Sequence, residues 1–189
     1  MKTIKNLFIA ILCVVSLPMF AQQTISGVTM PKTVSQHDVS LKLNGAGLRE
    51  KLWIDLYVAG LYVKTPSTDA KTLINNDEAM SIQLEIVSGL ITSEKMIAAI
   101  EEGFNNSTNG KTEALKAEIA DFIDAFSDPI VKGNKFTITY LPRTGVVVTK
   151  NGKVLKTING FEFKKALFGI WLGEKPADKK LKAGLLGTK

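Results

Sequence analysis

The sequence predicts an α+β fold built around a mainly antiparallel sheet. Runs of strand-like segments alternate with runs of helix-like segments, whereas a parallel sheet would alternate strands with single helices. Asn151-Gly152 lies between two short apolar segments and is typical of a two-residue hairpin, because both residues tolerate positive φ. The 189 residues, of which 45% are hydrophobic, are enough for one domain with its own core.

The first strands are predicted from the period of their apolar residues. Residues 39–43 alternate between apolar and polar, and Gly45-Ala46-Gly47 reads as a tight turn into the next strand. Residues 52–63 are apolar on both faces, which predicts a central strand that is covered on both faces and bends at Gly60. Residues 81–87 alternate again and predict a strand with one face in water.

Three helices are predicted from polar caps that precede apolar residues at helical spacing. The first is short, covers residues 67–75 and has Ser67 or Thr68 as its cap. Ser93 is expected to cap the second helix and Thr112 the third, and each of these two helices has one apolar face.

The second half of the chain predicts a strand meander followed by two helices. Residues 136–141, 146–150 and 153–158 read as three consecutive strands. Residues 162–172 are nearly all apolar and predict a buried helix, and a basic helix begins at Asp178.

The first 21 residues have the layout of a secretory signal peptide. Two lysines precede an apolar run at residues 7–17, Pro18 follows the run, and Ala21 precedes two glutamines. The apolar run is too short to span a bilayer stably. The alternatives are a retained membrane anchor or a buried N-terminal helix. We expect residues 1–21 to be cleaved, and residues 22–189 to form a single periplasmic or secreted domain without a transmembrane segment.

Composition excludes several kinds of enzyme site. The single cysteine, Cys13, excludes a disulfide framework and a cysteine-based zinc site. The single histidine, His37, reads as part of a surface loop and leaves little room for a histidine-dependent catalytic set. We therefore expect no metal and no cofactor. The net charge of +6 comes without an arginine-rich stripe, so we expect no nucleic-acid partner.

Polar side chains near the apolar strand suggest a site for a carboxylate. Arg49 is followed by Asp55, Tyr57 and Tyr62, and a guanidinium at the mouth of an apolar pocket can hold a carboxylate through two parallel hydrogen bonds. The alternative is that Arg49 pairs with an acidic neighbour such as Glu50 or faces water. The apolar residues of the 162–172 helix region either line a ligand cavity or form ordinary core; they are Phe161, Phe163, Leu167, Phe168, Ile170 and Trp171.

Two segments resemble the chalcone isomerase-like family. They are LNGAGLREKLWIDLYVAGLYV at residues 43–63 and GFEFKKALFGIWLGEKPADKKLKAGLLG at residues 160–187. With the order of elements between them, the resemblance covers about Ser26 to Gly187, and it is to the bacterial exported branch. It implies an open-faced β-sandwich, in which a mainly antiparallel sheet packs under a layer of helices, with a ligand cleft between the layers.

The resemblance also implies which site residues are kept. In the plant enzymes an Arg, a Thr, a Tyr, an Asn and a late Thr form the flavonoid site. Only the Arg is matched, by Arg49. The other positions fall on Tyr57, near Thr92 and Ala99, and near Leu167. Ala99 and Leu167 cannot donate hydrogen bonds to a developing oxyanion, so chalcone cyclisation is not expected. Non-catalytic members of the family bind fatty acids and keep the Arg.

Three functions follow as hypotheses. The first is an exported, non-catalytic binder of a small amphipathic or lipid-like ligand, a fatty acid or similar carboxylate. The second is an isomerase or intramolecular-lyase type of enzyme with an unknown substrate. The third is an envelope protein-interaction module with a vestigial cleft. For the first hypothesis, the expected ligand-binding residues are Arg49, Tyr57, Tyr62, Thr92, Leu167, Phe168 and Trp171.

The state of the cleft distinguishes the three hypotheses. An open pocket that ends at Arg49 would favour the ligand binder, and several converging titratable groups would favour the enzyme. A filled core around Phe168 and Trp171 would favour the interaction module.

Overall fold

A computed structural model describes residues 23–36 and 38–188 and confirms the α+β class. The predicted signal peptide at residues 1–21 and His37 lie outside the described residues. The strands are β1 (Gln23–Ile25), β2 (Val28–Met30), β3 (Thr33–Gln36), β4 (Val39–Lys51), β5 (Ile54–Val63), β6 (Met80–Ile86), β7 (Lys135–Leu141), β8 (Gly145–Lys150) and β9 (Lys153–Ile158). The helices are α1 (Ala70–Asn75), α2 (Ser93–Ser107), α3 (Lys116–Asp124), α4 (Phe161–Leu172) and α5 (Lys179–Leu185).

The main sheet is a continuous antiparallel meander. Its seven strands lie in the order β3-β4-β5-β6-β7-β8-β9, so each strand pairs with its neighbour along the chain. Asn151 and Gly152 connect β8 to β9, and both have positive φ, as the hairpin prediction requires. A separate hairpin, β1-β2, was not predicted.

Helices cover one face of the sheet, with α4 at the centre of the layer. The alternate positions of β5 and β6 that face this layer join α4 in the main hydrophobic core. Helices α1 and α2 contact α4, and α5 lies along β4. The core is completed by aromatic contacts such as Phe104 stacked on Phe163 at 5.6 Å between ring centroids. Within the described residues, no helix is both long enough and apolar enough to cross a membrane.

The opposite face of β5 is also covered, which confirms the interpretation of its two apolar faces. Val28 and Met30 of the β1-β2 hairpin pack against Ala46 and Val58. Further along the same face, Tyr62 packs in a second small cluster. The strand is therefore interior to the sheet and buried on both sides.

Two strand predictions are wrong in detail. Gly45-Ala46-Gly47 is not a turn but part of the long strand β4, and the chain reverses at Leu52 and Trp53. The predicted wet face of β6 begins at Ser81, yet this residue is fully buried. Its hydroxyl lies 2.9 Å from that of Thr139, so a cross-strand hydrogen bond satisfies it without water.

The helix caps differ from the predicted ones by one to three residues. Asp69 caps α1 by accepting from the backbone N–H groups of residues 71 and 72. Thr92 caps α2, and Ser93 is the first helical residue. Thr112 precedes a short 3-10 turn at Glu113–Leu115 and makes no side-chain capping bond.

Gly45 allows α5 to lie directly on β4, and we expect Gly45→Ala to be destabilising. A Cβ at this position would lie 2.2 Å from the carbonyl oxygen of Gly184, so the backbone of α5 would have to move. The expected loss in the free energy of unfolding is about 1–3 kcal/mol, measured by urea denaturation. Gly89→Ala is the matched control, because a Cβ at Gly89 meets nothing within 4 Å. Equal midpoints for both variants would contradict this account of the α5 contact.

Candidate functional site

Arg49 is held on the helix-covered face of the sheet by an ion pair. It lies in β4 directly opposite Tyr57 of β5. Its Nη1 donates to Oδ2 of Asp178 at 2.9 Å and to the carbonyl oxygen of Glu50 at 3.0 Å. The side chains of Arg49 and Asp178 are 20% and 13% exposed, so the pair is partly shielded from water. The carboxylate partner is thus Asp178, and not the Glu50 side chain that the sequence offered as an alternative.

Tyr57 links the Arg49 position to helix α4. The indole Nε1 of Trp171 donates to the Tyr57 hydroxyl oxygen at 3.2 Å. Burial raises the pKa of the Tyr57 phenol, although the Trp171 bond and the charge of Arg49 oppose this. The phenol therefore stays protonated and can donate to a ligand while it accepts from Trp171.

Asp178 connects the site to the last helix and was not predicted as a site residue. Its Oδ1 accepts from the backbone N–H of Leu181 at 2.8 Å and caps α5, while its Oδ2 accepts from Arg49. One carboxylate therefore fixes both the start of α5 and the guanidinium. An acidic residue before two lysines signals an N-cap in the sequence, but its contact with a residue 129 positions away does not show there.

Of the predicted site residues, Arg49, Tyr57 and Trp171 come together, and Leu167 and Phe168 belong to the same hydrophobic core as Tyr57 and Trp171. Tyr62 and Thr92 lie elsewhere. Tyr62 lies on the opposite face of the sheet, where its hydroxyl contacts Met30 Sδ at 3.8 Å. Its spacing of five from Tyr57 explains this, since side chains alternate along a strand. Thr92 caps α2 and is exposed.

The space expected for a ligand is filled by side chains in this structure. Leu167 and Phe168 are fully buried, and Trp171 is nearly so. Two open depressions occur elsewhere among the described residues and neither is lined by Arg49. One, of about 410 Å³, lies between the β1-β2 turn and the ends of β5 and β6. The other, of about 580 Å³, lies between α2, α4 and the loop after α4.

The positions that correspond to catalytic groups of the plant enzymes do not form a second set of donors around Arg49. Ala99 is exposed on α2, and Leu167 is buried in the core. Neither side chain carries a hydrogen-bond donor. Around Arg49, the polar groups are the guanidinium, the Tyr57 phenol, the Trp171 indole and the Asp178 carboxylate.

Lys164 is a buried charged residue in α4, the helix that the sequence predicts to be nearly all apolar. Its Nζ donates to the carbonyl oxygens of Leu73, Ile74 and Asn76 at 2.7–2.9 Å, at the end of α1. It also lies 5.4 Å from the ring centroid of Tyr140. Burial lowers the pKa of Lys164 to about 8. Because these contacts satisfy its donors away from Arg49, we assign Lys164 a structural role.

Comparisons with known proteins agree with this architecture. A crystal structure of a fatty-acid binding protein from Arabidopsis thaliana is similar to the chain, with a TM-score of 0.70 and 18% identity over 88% of this chain and 96% of that chain. A comparison with curated protein sequences finds no match. The sequence model of the chalcone isomerase-like family matches residues 22–187. The fold is thus the one that the resemblance implied, and the chain belongs to the chalcone isomerase-like family.

Proposed function

We propose that the chain binds a small amphipathic carboxylate, such as a fatty acid, without catalysing a reaction on it, and that Arg49 holds the carboxylate. The observation that carries the proposal is the Arg49–Asp178 pair. It presents a guanidinium that already accommodates a carboxylate oxygen at 2.9 Å, beside the Tyr57 phenol. A ligand carboxylate in place of Asp178 would find the same donor.

The donors at this position suit a carboxylate head group. A guanidinium has five N–H donors in a planar fork that matches a carboxylate. Arg49 uses Nη1 for both Asp178 and the Glu50 carbonyl. The Tyr57 phenol, kept protonated by its raised pKa, supplies a further donor. Ionised ligands would therefore be preferred over their esters.

The ligand tail would need space that α5 and the end of α4 now cover. The partly exposed Arg49–Asp178 ion pair that holds α5 contributes on the order of 1 kcal/mol to stability. Breaking this pair to displace α5 therefore costs little free energy. Each buried ligand methylene would contribute about 0.8 kcal/mol in return. A long acyl chain can thus offset the exposure of Leu181 and Leu185, which α5 buries against the core.

Two further observations support non-catalytic binding. The similar plant structure is titled a fatty-acid binding protein. Ala99 and Leu167 also leave two of the family's site positions without hydrogen-bond donors, so the set needed to stabilise an oxyanion is incomplete.

The filled core favours a second candidate function, an envelope protein-interaction module. Phe168 and Trp171 pack closely where the ligand tail would lie. On this alternative, Arg49 and Asp178 only fasten α5 to the sheet, and no small molecule binds between them.

We also propose that the protein is an exported bacterial member of the family that acts in the periplasm or outside the cell. The layout of residues 1–21 supports this, because a charged start precedes an apolar run and a small residue, Ala21. The family match begins at residue 22, next to the expected cleavage point. N-terminal sequencing of exported protein should find Gln22 or a near neighbour.

Arg49→Ala should weaken binding of a saturated fatty acid roughly tenfold or more, measured by calorimetric titration. A charge-assisted hydrogen bond contributes about 1.5–3 kcal/mol, and about 1.4 kcal/mol corresponds to one decade in affinity. The methyl ester of the same acid should bind both proteins with the weaker affinity, because it lacks the charge that Arg49 recognises.

Arg143→Ala is the matched control for this titration. Arg143 is the other arginine of the chain and lies exposed in the β7–β8 turn. Its loss changes the net charge equally and should leave affinity unchanged. Equal affinities of wild type and Arg49→Ala, or no binding by either, would transfer support to the interaction module.

A further inference from the structure

Six large hydrophobic side chains are exposed within the described residues, and all six lie at one end of the main sheet. This is the end at which β4, β6 and β8 finish and β5, β7 and β9 begin, as the antiparallel registers show. The described chain thus concentrates its exposed apolar surface in one region, whereas scattered single residues would need no explanation. The six are Leu52, Trp53, Ile54, Leu90, Val131 and Val154.

The two most exposed, Leu52 and Trp53, form the turn between β4 and β5; together with Ile54, the first residue of β5, we call them the 52–54 tip. Trp53 is 90% exposed and Leu52 is 75% exposed. Both residues have positive φ, at 61° and 51°. A two-residue turn of this kind favours Asn-Gly, as Asn151-Gly152 shows in the same sheet, and bulky residues are strained there. The tip thus has a strained backbone and an exposed indole ring. The exposed side chains of Leu52 and Trp53 do not contribute to the core.

Lysines dominate the charge around the tip. Residues 50–55, 85–92, 128–135 and 150–154, with the start of α5, contain seven lysines and four acidic residues. Glu85 pairs with Lys135, so these two charges cancel, whereas Asp55 keeps its charge while it accepts from Ser26. These segments therefore carry an excess of three positive charges, from seven lysines and four acidic residues. The lysines are Lys51, Lys132, Lys135, Lys150, Lys153, Lys179 and Lys180.

We propose that this end of the molecule docks on an anionic lipid surface, with the 52–54 tip inserted at the headgroup level. Exposed Trp with neighbouring aliphatic side chains suits the membrane interface, where an indole has both apolar and polar surroundings. Lysines around the insertion are attracted by anionic headgroups. Docking rests on the tip and the lysines alone. If the proposed ligand site is also correct, docking places Arg49, three residues before Leu52, close to the membrane surface.

Trp53 itself reports on the docking. The chain has two tryptophans, and Trp171 is buried, so a change in emission on adding vesicles reports on Trp53. Mixed phosphatidylglycerol–phosphatidylcholine vesicles should shift the emission to shorter wavelength, and brominated acyl chains should quench it. Vesicles of phosphatidylcholine alone should give a much smaller shift, since they lack the anionic charge.

Two sets of variants test the tip and the lysines in vesicle flotation. L52N/W53G removes the apolar surface and should weaken binding roughly tenfold or more. It installs the residues that the turn favours, so its melting temperature should match or exceed that of wild type. K51Q/K179Q should also weaken binding roughly tenfold, whereas K64Q/K71Q, with the same charge loss away from the tip, should not. Wild type and all variants have the same N-terminal residues, so differences in their flotation result from the substituted positions.

Equal flotation of wild type and L52N/W53G would overturn the proposal. An unchanged Trp53 emission in the presence of anionic vesicles would also overturn the proposal. It would favour a protein partner for this surface. Loss of fatty-acid binding in Arg49→Ala, with vesicle binding intact, separates the two proposals.

Discussion

Above about pH 10 the protein should lose stability steeply, and its three tyrosines should ionise together as it unfolds. Burial raises the pKa of Tyr57, Tyr62 and Tyr140 above the ordinary value. Tyr140 also donates to Asp77 at 2.5 Å, and this negatively charged neighbour disfavours a phenolate. These three are all the tyrosines of the chain, so no phenol of ordinary pKa remains.

The direction of this stability change follows from the number of protons that the folded and unfolded states bind. Above about pH 10 the unfolded chain loses its phenolic protons while the folded protein keeps them, so a rise in pH favours unfolding. Each tyrosine contributes about 1.4 kcal/mol per pH unit, and the three together about 4 kcal/mol per pH unit. Lys164, with a folded pKa of about 8, opposes this between about pH 8 and 10.4, where the unfolded lysine binds the proton more tightly.

Absorbance at the phenolate band and far-ultraviolet circular dichroism, followed together from pH 9 upward, check this prediction. The two signals should change in a single coincident transition, and in concentrated urea the tyrosines should titrate near their ordinary pKa of about 10. A tyrosine that ionises near pH 10 while the dichroism stays native would contradict the account of these buried phenols.

Lys164→Met should destabilise the protein by about 2–4 kcal/mol in urea denaturation at neutral pH. The substitution leaves the carbonyl oxygens of Leu73, Ile74 and Asn76 without their donor, at about 2 kcal/mol each and about 6 kcal/mol together. Removing the buried ammonium stabilises the folded protein by about 3 kcal/mol. This is the free-energy cost, at neutral pH, of burying a charged lysine whose pKa falls from 10.5 to about 8. The lost hydrogen bonds are the larger effect.

Lys165→Met is the matched control for Lys164→Met. Lys165 is the next residue of α4 and pairs with Glu162 on the helix surface. A surface pair of this kind contributes at most about 1 kcal/mol, so the control should remain close to wild type. If Lys164→Met were as stable as Lys165→Met, the three carbonyl contacts would not hold α1 in place.

Much of the fold could be predicted because its signals are local. The β7–β9 meander follows from alternating residues and an Asn-Gly turn, and helix α4 from a nearly unbroken apolar segment. The two apolar faces of β5 correctly indicated cover on both sides. In each case neighbouring residues carry enough information to specify the element.

The errors in the fold arise where distant contacts decide the local structure. Gly45 and Gly47 look like turn residues, but they are glycines because α5 lies against β4 at that point. Leu52 and Trp53 look like strand residues, yet they form the turn in a strained backbone. Ser81 looks solvent-facing until Thr139 is placed beside it.

Distant contacts also explain why only part of the candidate site could be predicted. Arg49, Tyr57 and Trp171 were identified and do lie together. The exclusion of Tyr62 was already contained in the two-residue period of a strand. Asp178 could not be identified as the Arg49 partner, because only the docking of α5 brings residues 129 positions apart into contact.

A crystal structure of the protein with a saturated fatty acid would show whether Arg49 receives the ligand carboxylate. We expect a carboxylate oxygen within about 2.7–3.2 Å of an Arg49 nitrogen, Asp178 turned away from the guanidinium, and the acyl chain between the sheet and α4. An intact Arg49–Asp178 pair, with the fatty acid bound in one of the two surface depressions, would contradict this expectation.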